Sequence, residues 1–157
     1  MNKQEFTQRV LAMENRLYRI SCGMLDNHQD RLDAVQEAVL KAWANVGRLR
    51  EERYFETWLT RILINECHNL QSARKRSVAL ERIPEPGAQA AEADHPLRDA
   101  LAALSPELRL PVLLFYMEGY KTREVAQILR IPEGTVKTRL MRAKRKLKIM
   151  LEEEKRA

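Results

Sequence analysis

The chain has 157 residues and a formal net charge of +6, which suits one ordinary domain or two small ones. Apolar residues make up 45% and charged residues 32%, so a packed core is expected and wholesale disorder is excluded. The charge is uneven: residues 1–97 carry 14 Lys and Arg against 14 Asp and Glu, whereas 98–157 carry 14 against 8, so one half is built to meet a polyanion.

The elements read as all-helical. Phe6, Val10, Met13, Leu17, Ile20 and Met24 recur at alternating spacings of 4 and 3, one face of an amphipathic helix ending near Leu25-Asp26-Asn27. Asn27 or Asp30 can cap a second helix. It places Leu32, Val35, Val39, Ala42 and Val46 on one side and meets Gly47 as its stop. A charged loop leads to a third helix, from about Tyr54 to Arg74, with Phe55, Leu59, Ile62, Leu63 and Leu70 as its apolar face. Three such faces can close a small bundle. Cys22 and Cys67 are too few and too far apart for a metal cluster or a disulfide framework. Each falls in a helical pattern as a small core residue, consistent with a reducing cytoplasm. His28, His68 and His95 show no ligand spacing and read as solvated or structural.

From Ser77 to Pro96 the apolar period is lost in a stretch with three prolines and small or acidic residues, the composition of a flexible linker. Beyond it come four shorter helices. Leu97, Leu101 and Leu104 mark the first. Ser105-Pro106-Glu107 restarts the chain with an N-cap, a proline at the first helical position and an acid at the positive dipole end. Val112, Leu113, Phe115 and Tyr116 follow, with Pro111 expected to bend or loosen that helix before Glu118-Gly119 ends it.

The most specific stretch runs from Lys121 to Lys148. Thr122 to Leu129 forms a short helix burying Val125, Ala126 and Leu129; Arg130-Ile131-Pro132 makes a tight turn; and a long helix starts at about Glu133. There Val136, Leu140, Ala143 and Leu147 face the core, while Lys137, Thr138, Met141, Arg142 and Arg145 face outward. Between Lys137 and Lys148 stand seven basic residues and no acidic one. A solvated helix face interleaves both signs, so this face is expected to neutralise phosphates. Short helix, turn, longer basic helix is the helix-turn-helix arrangement, whose second helix enters the DNA major groove.

The run EVAQILRIPEGTVKTRLMRAKRKL, preceded by SPELR and EGY, resembles domain four of the extracytoplasmic-function (ECF) sigma factors of bacterial RNA polymerase, group IV of the sigma-70 family. Upstream, DAVQE and LKAW from Asp33 to Trp43, and Phe55, Trp58, Leu59, Arg61, Ile62 and Asn65, resemble that family's domain two. The resemblance implies an all-α fold of two small domains: a three-helix-type bundle over 1–77 and a four-helix helix-turn-helix unit over 97–157, joined by a flexible linker over 78–96. It implies a cytoplasmic bacterial protein without membrane insertion that directs core polymerase to promoters and assists melting.

By the same resemblance, Asp33, Gln36, Glu37 and Lys41 dock on the clamp helices of the largest polymerase subunit. The flap of the second-largest subunit and an anti-sigma factor are further expected partners. Arg48, Arg50, Arg53, Tyr54, Arg61, Asn65 and Asn69 are implied to bind the minus-ten element as melted single strand, where phosphates need cations and bases need stacking platforms. Asn69 stands where many members have Asp, and Phe55 reads as core rather than platform. Lys137, Thr138, Met141 and Arg142 match residues that read the minus-thirty-five duplex; Arg142 can fork onto guanine, and Thr138 or Met141 can touch a thymine methyl. Lys144, Arg145 and Lys148 fit phosphate clamps. No nucleophile–base pair, metal cluster or carboxylate dyad stands at a working spacing, so neither enzyme activity nor a cofactor is expected. The competing readings are a stand-alone helix-turn-helix regulator and a polymerase-binding adaptor without promoter reading.

Overall fold

The computed structural model describes residues 1–81 and 96–156, with side chains over 1–77 and 96–156. Most of the expected linker, including His95, lies outside them. Among the described residues there are helices and turns and no strand. The chain divides into two compact units, Met1–Pro84 and Glu85–Ala157.

In the first unit, α1 (Lys3–Cys22) opens with a capping box, the Asn2 side chain accepting from the Glu5 amide at 2.8 Å. Phe6, Met13, Leu17 and Ile20 are buried, as the spacing requires. The helix stops at Gly23, short of Leu25, and its last residue, Cys22, is exposed rather than in the core. Cys67 is buried. The loop after α1 is fastened by long polar side chains: Gln71 donates to the Met24 carbonyl at 2.6 Å and Arg31 to that of Leu25 at 2.9 Å. Asn27 then caps α2 (His28–Ala44), accepting from the Asp30 amide at 2.8 Å.

The inward face of α2 differs from the expected one. Ala34, Ala38 and Ala42 are buried at four-residue spacing, Val35 and Val39 are half-buried, and Leu32 is 44% exposed. Small side chains let the α2 backbone approach its neighbour closely, and this excludes the bulkier residues from the seam. Nor does Gly47 stop the helix. Asn45 ends it, its side chain donating to the Lys41 carbonyl at 2.8 Å, and Gly47 lies in a short 3-10 turn, Val46–Arg48. A second 3-10 turn, Glu52–Tyr54, delivers α3 (Phe55–Glu81).

Phe55, Leu59, Leu63, Ile64 and Cys67 are the buried apolar residues of α3, while Ile62 and Leu70 are only half-buried. Phe55 is a core residue, edge-on to Phe6 with ring centroids 5.8 Å apart. The helix runs past Arg74 and past 77 to Glu81: the first proline of the low-period stretch is Pro84, and nothing before it forbids helix.

In the second unit, α4 (Pro96–Ala103) buries Ala100, with Leu104 buried just after it and Leu97 exposed rather than inward. Arg109 closes its C-terminus, donating to the carbonyls of Leu101, Ala102 and Leu104 at 3.0, 2.8 and 2.7 Å. Ser105 occupies the N-cap of α5 (Pro106–Val112) in extended conformation, but its hydroxyl makes no capping hydrogen bond. Directly after Pro111 the helix widens into a π turn, Leu113–Met117, with the Glu118 amide donating to the Leu113 carbonyl at 3.0 Å. Leu114 is buried there and Tyr116 points outward. Gly119, at φ 77°, reverses the chain.

The helix-turn-helix follows as α6 (Thr122–Leu129) and α7 (Glu133–Arg156). Val125 and Ile128 fill the core, whereas Ala126 and Leu129 are half-buried. Arg130 makes the turn in the left-handed region at φ 56°. On α7, Val136, Leu140 and Ala143 are buried and Leu147 half-buried, as their spacing predicts.

Candidate nucleic-acid and partner interfaces

The outward face of α7 follows from helical geometry. With about 100° of rotation per residue, Lys137, Thr138, Met141, Arg142 and Arg145 fall opposite Val136, Leu140 and Ala143. All five are exposed, Met141 among them despite its apolar side chain. Thr138 Oγ1 donates to the Gly134 carbonyl at 3.0 Å. Lys137 faces Glu133 at 3.9 Å on the same helix, a loose pair in water that a phosphate can replace. The first turn of α7 is braced on α6, where Thr122 Oγ1 donates to Glu133 Oε1 at 2.8 Å.

Lys144 and Lys148 are also exposed but stand elsewhere. They border an apolar groove of about 530 Å³, walled by Val112 and Tyr116 on one side and Leu147 and Leu151 on the other. Tyr116 is 58% exposed at its mouth, next to exposed Met117. Residue spacing did not reveal this groove, which joins two helices; the signal available was the apolar pair Tyr116-Met117 at the end of a helical run.

In the first unit an open cleft of about 430 Å³ lies between α2 and α3. Lys41, Asn45 and Arg48 form one wall; Trp58, Asn65, Glu66 and Asn69 form the other. Arg48, Asn65 and Asn69, expected at the single strand, therefore share one concavity. Lys41, expected at the polymerase, is in it as well, its ammonium hydrogen-bonded to Glu66 Oε1. That bond, with the carboxylate charge behind it, raises the Lys41 pKa, so this cation is held charged.

The remaining expected residues lie outside the cleft. Arg53 is exposed, pairs with Glu51 at 2.6 Å and stacks over Tyr54 at 4.8 Å. Its pKa is raised by the Glu51 carboxylate. Tyr54 and Arg50 are exposed and Arg61 is half-buried. Asp33, Gln36 and Glu37 occupy the outward side of α2, with Gln29 donating to Asp33 at 2.9 Å. Leu32 and Leu40 flank them, the latter 57% exposed. Two leucines four residues either side of Gln36 make this a mixed apolar and acidic face, suited to a protein partner.

Among the described residues, no group of His, Cys, Asp or Glu could hold a metal ion, and no helix is long and apolar enough to cross a membrane.

Comparison with known proteins covers both units. Residues 10–77 match the family model for sigma-70 region 2, and residues 94–147 that for sigma-70, region 4. The ECF RNA polymerase sigma factor SigM of Mycobacterium tuberculosis is 30% identical over 154 residues, covering 96% of this chain and 79% of that protein. The RNA polymerase sigma-H factor of Pseudomonas aeruginosa is 28% identical over 162 residues, covering 91% and 84%. Among solved structures, the sigma factor RpoE from Bartonella quintana, in complex with the anti-sigma factor NepR, superimposes with a TM-score of 0.81 at 25% identity, over 95% of this chain and 98% of that one. CnrH, in complex with the cytosolic domain of CnrY, gives 0.75 at 23% identity, over 96% and 90%.

Proposed function

The chain belongs to the ECF sigma factors of RNA polymerase, and from that premise we propose how its surfaces divide the work of promoter recognition. It is a specificity subunit that brings core polymerase to promoters and assists their opening; polymerisation belongs to the partner. The observation that carries this reading at residue level is the outward face of α7, cationic from Lys137 to Lys148 and opposed to a buried Val136–Leu140–Ala143 stripe.

Laid in the major groove of the minus-thirty-five element, that face puts Lys137, Thr138, Met141 and Arg142 against base edges. Arg142 can present two N–H donors to guanine O6 and N7, and Thr138 or Met141 an apolar contact to a thymine methyl. Arg145 then lies toward the backbone. Lys144 and Lys148 reach phosphate from the rim of the apolar groove, positioning without specifying. The groove itself takes an apolar segment of a protein partner, the polymerase flap or, by likeness to the NepR complex of RpoE, an anti-sigma factor.

In the first unit, Asp33, Gln36 and Glu37, together with Leu32 and Leu40, form the surface for the clamp helices. Burial of the leucines supplies affinity and the polar residues set the register. The cleft between α2 and α3 holds the melted minus-ten strand, with Arg48 and Lys41 toward phosphate and Asn65 and Asn69 toward base edges. Arg50, Arg53, Tyr54 and Arg61 extend that track along the loop and helix. A stand-alone DNA-binding regulator has no need of this cleft or of the leucines on α2.

The test is transcription. Purified protein mixed with sigma-free core polymerase and genomic DNA is expected to produce discrete new run-off start sites sharing two upstream elements. Tight binding to a palindrome without polymerase, and no new start sites, would support the stand-alone regulator instead.

A further inference from the structure

The loop between α2 and α3 has little of its own to hold it in shape. From Val46 to Tyr54 no side chain is buried. Its two 3-10 turns close on local backbone hydrogen bonds, the Leu49 amide to Val46 and the Tyr54 amide to Glu51. A segment with so few buried contacts opens easily unless something outside it grips it. Arg9 of α1 does so, from 43 residues earlier in the chain.

The Arg9 guanidinium forks onto one residue. Nη1 donates to the Glu52 carbonyl at 2.9 Å and Nη2 to Glu52 Oε2 at 3.0 Å. Arg9 Cζ also lies 5.7 Å from the centroid of the Phe55 ring, a buried platform that belongs to the core. The amino-terminal ammonium is 3.9 Å from Glu52 Oε1, a looser contact. The carboxylate pair is exposed and contributes little by itself. The carbonyl bond matters more, because the Glu52 carbonyl and the Arg53 amide share one planar peptide unit. Gripping that oxygen fixes how the chain enters Arg53 and Tyr54, the stacked cation and ring of this loop. Two helical turns further along α1, Arg16 donates to Glu56 at 3.1 Å, a pair that touches the start of α3 and not the turn.

We propose that Arg9 is a positioning residue for capture of the melted strand: it holds the Glu52–Tyr54 turn in the form that presents Arg53 and Tyr54, and needs no contact with DNA itself. This rests on the assignment of Arg53 and Tyr54 to the melted minus-ten strand. Releasing the turn lowers the fraction of molecules ready to bind and leaves the bound contacts unchanged.

The experiment measures binding of the polymerase holoenzyme to labelled oligonucleotides that are single-stranded across the minus-ten element of a promoter mapped by run-off transcription. Arg9→Ala is expected to weaken binding about tenfold, with the slope of log affinity against log salt unchanged. Arg16→Ala should stay within about twofold of native. In a background of Arg53→Ala with Tyr54→Ala, the further loss from Arg9→Ala should shrink below about threefold, because the turn has nothing left to present. Should Arg9→Ala fail to fold, Arg9→Lys, which keeps the charge but not the planar fork, carries the same comparison.

An undiminished loss in that background overturns the proposal. So does a salt slope lowered by about 0.7, which marks Arg9 as a phosphate contact, or equal loss from Arg9→Ala and Arg16→Ala, the sign of general destabilisation. Where Arg53→Ala with Tyr54→Ala weakens binding and Arg9→Ala does not, only the role of Arg9 fails. Where neither changes binding, the assignment of the turn to the melted strand fails with it.

Discussion

Arg74 Nε donates to Asp30 Oδ2 at 2.8 Å, joining the far part of α3 to the first turn of α2, 44 residues earlier in the chain. Asp30 also accepts from the Asn27 side chain at 3.0 Å. The Arg74 bond outweighs the opposing effect of burial and holds the Asp30 carboxyl below its ordinary value of 3.8. A depressed carboxyl pKa contributes stability that is whole above the ordinary value and is lost as pH falls through the lowered one. Asp30→Asn should therefore destabilise the first unit at pH 7, by about 1 kcal/mol given the partial exposure of Arg74. In thermal melts, the gap between variant and native protein should close as pH falls below the ordinary carboxylate range.

The alanine seam on α2 sets up opposite outcomes for neighbouring substitutions. Ala38 is fully buried, so Ala38→Leu must push the helices apart, at about 1–3 kcal/mol. Leu40 is largely exposed, and Leu40→Ala should leave denaturation midpoints within about 0.5 kcal/mol of native. In a pull-down with core polymerase the order reverses: Leu40→Ala loses affinity although its fold is intact.

Arg130 adopts a left-handed backbone that side chains with a Cβ resist. Arg130→Gly should raise the stability of the second unit by up to about 1 kcal/mol, the relief being partly offset by a freer unfolded chain. Chemical denaturation followed by helical circular dichroism checks the sign. A clear loss would mean that the arginine side chain contributes more than its backbone costs.

Arg142 and Lys148 should differ in the kind of loss they cause. Arg142→Ala should relax choice at one upstream base, at a cost of about 1–3 kcal/mol. Lys148→Ala should weaken all sequences alike and lower the slope of log affinity against log salt by about 1. Competition binding with single-base promoter variants at two salt concentrations separates the two. Equal, sequence-independent losses from both would remove Arg142 from base reading.

The two cysteines should react at very different rates. Cys22 is exposed, whereas burial and the neighbouring Glu66 carboxylate push the Cys67 thiol up to about 12. Because the thiolate is the reactive form, one thiol should titrate rapidly with a disulfide reagent at pH 8 and the second only on unfolding. Two fast thiols in the native protein would show that the first unit opens readily.

What was legible in the sequence was local. The face of α7 could be read from Val136, Leu140 and Ala143 because rotation about a single helix axis depends only on that helix. The bounds of α6 and the turn at Arg130 were legible for the same reason, and so was the cationic face, since seven bases without an acid leave little choice of direction. The face of α2 proposed for docking was only half visible. Its polar residues could be named, but Leu32 was assigned to the core because a valine–leucine stripe outscores an alanine stripe on hydrophobicity alone.

The sequence by itself thus determined that the chain is helical, that its excess charge sits in one helix-turn-helix segment, and that both halves resemble ECF sigma factors. Tertiary structure decided which of two rival faces of α2 turns inward, that Lys144 and Lys148 border an apolar groove, and that Lys41 pairs with Glu66 of α3. The physical reason is the same in each case. A helix has several faces that could be buried, and the choice depends on how closely a partner backbone can approach. The Lys41–Glu66 pair spans 25 residues and joins two helices whose crossing no periodicity encodes.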